Sequence, residues 1–320
     1  MKHSTRNRRA VGTLLAGLAL GMAFTTGASA AGATKVNLCA PNWPGELVKA
    51  EVARQILDTA GYRSSVTHAS WIICLKGVAD GEVDVDMALW RPTQNSVLNP
   101  MLESNKVKLL TTNVEDALYD LVVPDYVYNA GVHSIADLAK HADRFGGKIY
   151  GIEAGNDGNE LVLDAIRDNQ YGLGNFRLVE SSEAAMLSQA GDAIKHERWV
   201  AFLGWKPHWM NVIYKLKFLE DPELMWGGTS TINTVVRPDY VNQQPNISRF
   251  FRQMSIPSEA QSSWIYDYGY KEEPVEQVAA RWIKANPGLV GQWLEGVTSA
   301  DGKRSAMDAL VAAGCVNAAK

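Results

Sequence analysis

The feature that most constrains this chain is a regular alternation of strand-like and helix-like segments. Lys35–Ala40 reads as a strand, followed by the loop Pro41-Asn42-Trp43-Pro44-Gly45. A helix is expected from Glu46 to Ala60, where Val48, Val52 and Ile56 form one apolar stripe and Gly61 ends it. Arg63–His68 is a second strand, Ile72–Asp80 a short helix stopped by Gly81, and Val83–Leu89 a third strand ending at Trp90. This β-α-β-α-β series implies a largely parallel sheet with right-handed crossovers, whose ligands bind beyond the carboxyl ends of the strands.

A second series begins with a strand at Leu118–Val123. It continues through strands Lys148–Ile152, Phe176–Glu180 and Trp199–Leu203, with helices Gly158–Asn169 and Ser182–Lys195 between them. Gly227-Gly228-Thr229-Ser230 breaks the pattern, Ile232–Val236 reads as one more strand, and the remainder reads as helical. The expected fold is α/β in two lobes, each a mostly parallel sheet flanked by helices. Residues 31–117 and 231–320 would form a discontinuous first lobe and 118–230 the second, with hinge strands near 115–121 and 226–233.

The first 30 residues have the pattern of an export signal. Lys2, Arg6, Arg8 and Arg9 precede an apolar run from Val11 to Phe24, and Ala28-Ser29-Ala30 predicts cleavage after Ala30. Arg8-Arg9 also admits twin-arginine export, although the residues after it match that route loosely. Removal of this segment lowers the 31 basic residues to 27 against 35 acidic ones, a net charge of −8. No basic stripe remains for nucleic acid, and no later segment approaches the roughly 18 apolar residues of a membrane span. A soluble periplasmic protein, expected to be monomeric, fits this balance. In that oxidising compartment Cys39 and Cys74, both at strand-to-helix turns, are the first choice for a disulfide, with Cys315 left over; three buried free thiols are the alternative.

Among ten tryptophans, three follow strand patterns with a proline close behind: Asn42-Trp43-Pro44, Leu89-Trp90-Arg91-Pro92 and Gly204-Trp205-Lys206-Pro207. The proline stiffens each turn and holds the ring's direction. With Tyr119 they form a candidate aromatic cage at the strand ends. A fully alkylated ammonium ion has no N–H to donate, so ring faces are its natural partners. The loop from Glu153 to Asn159 is rich in turn and capping residues, so Asn156 and Asp157 are candidate polar contacts as well as candidate caps. Trp71, at the start of the second helix, is a secondary candidate. Trp199, Trp282 and Trp293 sit inside strand or helix patterns and read as core, while Trp209, Trp226 and Trp264 stay undecided.

Motifs of catalysis are missing: no Gly-x-Ser-x-Gly, His-Glu-x-x-His, Gly-x-x-x-x-Gly-Lys or Cys-x-x-Cys occurs. His208 reads as solvated or structural, and the Asp84/Asp86 pair as the polar side of a strand. No metal or cofactor is expected. A secreted hydrolase acting on a choline ester is the rival reading, without an assignable nucleophile and base.

The motifs Gly81-Glu82-Val83-Asp84-Val85 leading to Trp90, Gly147–Asn159, Val179-Glu180-Ser181-Ser182-Glu183 and Phe202–His208 extend the reading. Through them the whole chain after the signal resembles the substrate-binding proteins of ABC importers for quaternary amines, the glycine betaine/choline/carnitine group, most of all its choline-type branch. The resemblance implies a type II periplasmic binding protein that delivers its ligand to an ABC permease in the inner membrane. It places the aromatic box on Trp43, Trp90, Tyr119 and Trp205 and the polar contact on Asn156. The choline-type pattern has an acid two positions after the first box tryptophan, where this chain has Gly45, with Glu46 next to it. Either Glu46 substitutes, or the ligand's tail differs. The segment Ala69–Ile73 departs from that pattern too. A carboxylated amine is therefore expected to bind at least as well as choline, its carboxylate met by Asn156 and the N–H groups that begin the following helix.

Overall fold

The computed structural model describes residues 34–317; the expected export signal lies outside them. Nine strands are present in these residues: β1 Lys35–Ala40, β2 Arg63–His68, β3 Val85–Arg91, β4 Lys108–Pro124, β5 Lys148–Tyr150, β6 Arg177–Val179, β7 Phe202–Lys206, β8 Leu216–Phe218 and β9 Ser230–Val236. They form one continuous order, β2-β1-β3-β9-β4-β7-β5-β6, with β8 also on β4.

Both expected alternating series are realised. In the first, β1 pairs parallel with β2 and β3, and helices Pro44–Thr59 and Trp71–Asp80 make the crossovers. Pro44 stands at the first helical position, where its missing N–H costs nothing. Gly81 takes the left-handed φ of 80° that closes the second helix, a conformation costly for any residue with a Cβ. In the second series β5 pairs parallel with β6 and β7, and helices Asp157–Arg167 and Glu183–Lys195 cross over.

The strands between the two series run differently from this outer pattern. β9 is antiparallel to β3 and β4, and β4 is antiparallel to β7 and β8. β4 is 17 residues long. Its portion from Lys108 to Ala117 pairs with β9, with three register shifts, and Leu118–Pro124 pairs with β7 and β8. The sequence pattern showed only its end, because Thr111-Thr112-Asn113 and Glu115-Asp116 interrupt the apolar alternation. The expected hinge at 115–121 falls where β4 changes partners.

The C-terminal segment is helical, as expected, and packs back onto the first series. Gln55 Nε2 donates to the Glu276 carbonyl at 3.0 Å, Tyr62 Oη to Thr298 O at 3.0 Å, and Ala300 N–H to Ala60 O at 2.9 Å. Val48, Val52 and Ile56 are at most 1% exposed and share a core with Val278 and Ile283. Burial of such side chains stabilises by roughly 1.5–3 kcal/mol each. Cys39 and Cys74 are joined, with Cα atoms 5.4 Å apart and a sequence separation of 35; closing a loop of that length contributes about 4 kcal/mol. Cys315 is free.

Two tryptophan readings need correction. Trp199 lies in irregular chain before β7, its ring capped by the Arg144 guanidinium at 3.6 Å. Trp282 is half-buried at the margin of the C-terminal core, whereas Trp264 and Trp293 are 1% exposed inside it. Among the described residues no helix is long and apolar enough to cross a membrane, and no cluster of His, Cys, Asp and Glu could hold a metal.

Candidate functional site

Trp90, Tyr119 and Trp205 come together because β3, β4 and β7 carry them; Tyr119 lies in a strand as expected, whereas Trp90 and Trp205 are strand residues instead of residues just beyond a strand. Tyr119 and Trp205 are paired directly across β4 and β7, and their ring centroids lie 5.9 Å apart at 87°. Trp90, on β3, meets Tyr119 edge-on at 5.8 Å, and Trp226 supports Tyr119 from another side at 4.9 Å. Edge-to-face pairs of this kind stabilise by about 0.5–1.5 kcal/mol each and hold the rings rigid. Trp43 caps the helix Pro44–Thr59 and completes the wall, its indole N–H donating to Glu153 Oε1 at 2.7 Å. All four rings line one cavity, together with Gly45, Glu46, Asn156 and Asp157. Of the candidates, Trp71 alone stands apart: it is buried, and its indole N–H donates to Gly155 O at 3.2 Å.

Asn156 is an N-cap and a cavity residue at once. Its Oδ1 accepts from the Gly158 and Asn159 N–H groups at 2.8 and 3.3 Å and from Tyr119 Oη at 2.7 Å, while Nδ2 donates to Asp157 Oδ1 at 3.2 Å. The tyrosine reaches it because position 158 is glycine: a Cβ there would lie 2.2 Å from Tyr119 Oη. The helix-start N–H groups that were expected to meet a ligand are thus already engaged.

Glu46 also faces the cavity, but its carboxylate pairs with Lys49 at 2.9 Å. Burial pushes the Glu46 carboxyl up and the Lys49 ammonium down. Lys49 in turn donates to Met87 O and Asn113 Oδ1, both at 3.1 Å, which satisfies a charge that would otherwise be very costly inside. Gly45 admits a neighbour: a Cβ there would lie 2.8 Å from Gln261 Nε2 and 3.0 Å from Ile265 Cδ1. Asp84 and Asp86 serve the fold. The first accepts from Asn37 N–H and from Arg237, the second from Ala88 N–H.

Glu183, His208 and Gln261 line the cavity too, unanticipated by the sequence reading. His208 is 2% exposed, and its Nδ1 accepts from Met210 N–H at 3.1 Å, so its proton sits on Nε2 and is shared with Glu183 Oε1 at 3.0 Å. The site is acidic. Burial raises the Tyr119 phenol well above its ordinary range, and the charges of Asp157, Glu153 and Glu183 push it further. Burial also raises the Asp157 carboxyl. Glu183 carries a weak signal in its position at the start of a helix on the same strand edge. Gln261 carries none, since it comes from the helix Ser258–Ile265, outside both alternating series.

Residues 34–285 match a family model described as the substrate binding domain of the ABC-type glycine betaine transport system. The fold is similar to that of an ABC-transporter choline binding protein in complex with choline, with a TM-score of 0.83 and 32% identity over 87% of this chain and 97% of that one. It is similar also to a lactococcal protein in its closed conformation with glycine betaine, with a TM-score of 0.72 and 30% identity over 81% and 99% of the two chains. A glycine betaine/carnitine transport binding protein of Listeria monocytogenes is 34% identical over 154 residues, 48% of this chain and 51% of that protein, so the match spans about half the relative's length. The likenesses place the mixed α/β fold among two-lobed periplasmic binding proteins.

Proposed function

The chain belongs to the family of substrate-binding domains of ABC-type glycine betaine transport systems, and we propose that it is the periplasmic receptor of such an importer, holding a quaternary ammonium compound between Trp43, Trp90, Tyr119 and Trp205. The observation that carries this reading is the rigid ring cluster around Tyr119 with Glu153, Asp157 and Glu183 close enough to act on its phenol. Ring faces attract an onium ion by roughly 0.5–2 kcal/mol per well-placed contact, and the carboxylates add a field of the right sign. Glycine betaine, choline and carnitine define the ligand class, in line with the ligands of the relatives described above.

In this reading residues 31–117 and 231–320 form one lobe and 118–230 the other. Three hydrogen bonds would then join the lobes across the cleft: Trp43 Nε1 to Glu153 Oε1, Trp71 Nε1 to Gly155 O, and Gln94 Nε2 to Asp157 Oδ1. Trp71 acts as a latch on the 153–157 loop. Ligand bound between the lobes shifts the population toward this closed form, which a monomeric receptor presents to an inner-membrane permease.

A thermal-shift and tryptophan-fluorescence panel of choline, glycine betaine, carnitine, proline betaine and trimethylamine N-oxide tests this. At least one member should raise Tm by about 5 °C at a hundredfold excess over Kd and quench fluorescence along a hyperbola. No response to any member at about millimolar concentration would refute the reading.

A further inference from the structure

The polar wall of the cavity is rich in acceptors and poor in free donors. Three oxygens of cavity-lining residues are buried without a hydrogen-bond partner: Asp157 Oδ2, Glu183 Oε2 and Gln261 Oε1. Most of the donors that surround them are spoken for, apart from the Thr93 hydroxyl beside the Asp157 carboxyl. Gly158 N–H, Asn159 N–H and Tyr119 Oη all go to Asn156 Oδ1. Asn156 Nδ2 and Gln94 Nε2 go to Asp157 Oδ1, His208 Nε2 to Glu183, and Trp43 Nε1 to Glu153. A ligand's tail that offers only acceptors would add to an unmet set, whereas a tail with a donor would relieve it. Leaving a buried polar group unpaired costs about 1–3 kcal/mol, and more for a charged one.

We propose that Glu183, Asp157 and Gln261 are specificity-determining residues that select an onium ligand with an uncharged, hydrogen-bond-donating tail, a hydroxyl, over one ending in a carboxylate. This rests on the onium reading of the cavity. It reverses the preference that Gly45 alone suggests: the space beside that glycine is filled by the Gln261 amide, and the acceptor role passes to groups from three other elements. Gln261 can present either end of its amide, so the two carboxylates set the sign of the selection. A carboxylate tail placed near Asp157 and Glu183 would meet like charge from two largely buried groups, where it is poorly screened.

Calorimetric titration with three probes tests the proposal: tetramethylammonium, which has no tail, choline, and glycine betaine. Choline is expected to bind at least tenfold more tightly than glycine betaine. Glu183→Gln and Asp157→Asn each turn an unmet acceptor into a donor, and each should shrink the choline-to-betaine ratio at least tenfold. Melting curves confirm folding, and the second variant keeps the test standing if the first is unstable. Glycine betaine bound as tightly as choline, with tetramethylammonium still bound, or a ratio unmoved in both folded variants, would overturn the selection while leaving the cage intact. If none of the three probes bound, the onium reading itself would fall, and the selection with it.

Discussion

Two groups of tryptophans in this molecule use the same side chain for opposite ends. Trp264 and Trp293, in the C-terminal helical core, both pack against Trp282 at its margin, the first edge-on at 4.9 Å and the second stacked at 5.4 Å. There Trp293 Nε1 is satisfied by Ser255 O at 3.0 Å. Trp90 and Trp205 instead gather round Tyr119 on the walls of a cavity, with carboxylates close by. In the first group the rings pack on one another and on the helical core; in the second they border a cavity. Burial alone does not separate them, since Trp90 and Trp205 are only 7% and 9% exposed. What separates them is the charge and the space next to the ring.

The largest effect expected from this contrast is on stability. Trp293→Ala should cost roughly 3–5 kcal/mol, as a large core truncation does, with onium affinity kept below the lowered Tm. Chemical denaturation and titration of the same sample check it, and a variant that loses affinity at full stability would break the division. Next in size, Trp205→Ala should weaken onium binding about tenfold or more, the loss of one desolvated cation–π face at about 1–2 kcal/mol. Its denaturation midpoint should fall less than that of Trp293→Ala, because its ring borders a cavity. Equal midpoints with unchanged affinity would return Trp205 to the core.

A smaller effect concerns pH. Burial raises the Asp157 carboxyl, so in the free protein its proton is retained to higher pH than for an ordinary carboxyl. A cation favours the ionised form. Affinity should therefore rise by a few-fold as pH climbs from acidic conditions through that raised value, and level off on its alkaline side. Titrations at the two ends check this, and Asp157→Asn should flatten the change. No comparable pH dependence is expected of the stability lost in Trp293→Ala, whose ring has aromatic neighbours.

The cavity-lining rings were legible as a group because Trp43, Trp90 and Trp205 each follow a strand pattern with a proline close behind, while Tyr119 stands near the start of one. The alternating halves of the fold were legible from apolar periodicity and from the glycines that stop helices. The central antiparallel strands were not, since pairing direction is set by where the chain returns and not by local pattern. The acceptor set was hidden for a similar reason. Glu183 looks like an ordinary first-turn acid and Gln261 like any helical residue, and the fit of Gln261 against Gly45 exists only once distant segments meet. Trp199, which read as strand core, is held by Arg144 outside any strand, a partner no periodicity announces.

The central claim, that this cavity reads positive charge through ring faces backed by carboxylates, is tested most directly by one pair of ligands of the same shape. Choline and its uncharged carbon isostere, with a tert-butyl group in place of the trimethylammonium head, are titrated against the protein by calorimetry. Choline should bind at least about a hundredfold more tightly, the sum of several cation–π contacts of roughly 0.5–2 kcal/mol each. Binding of the isostere within about threefold of choline would mean that the cavity recognises apolar volume and not charge, and would contradict it.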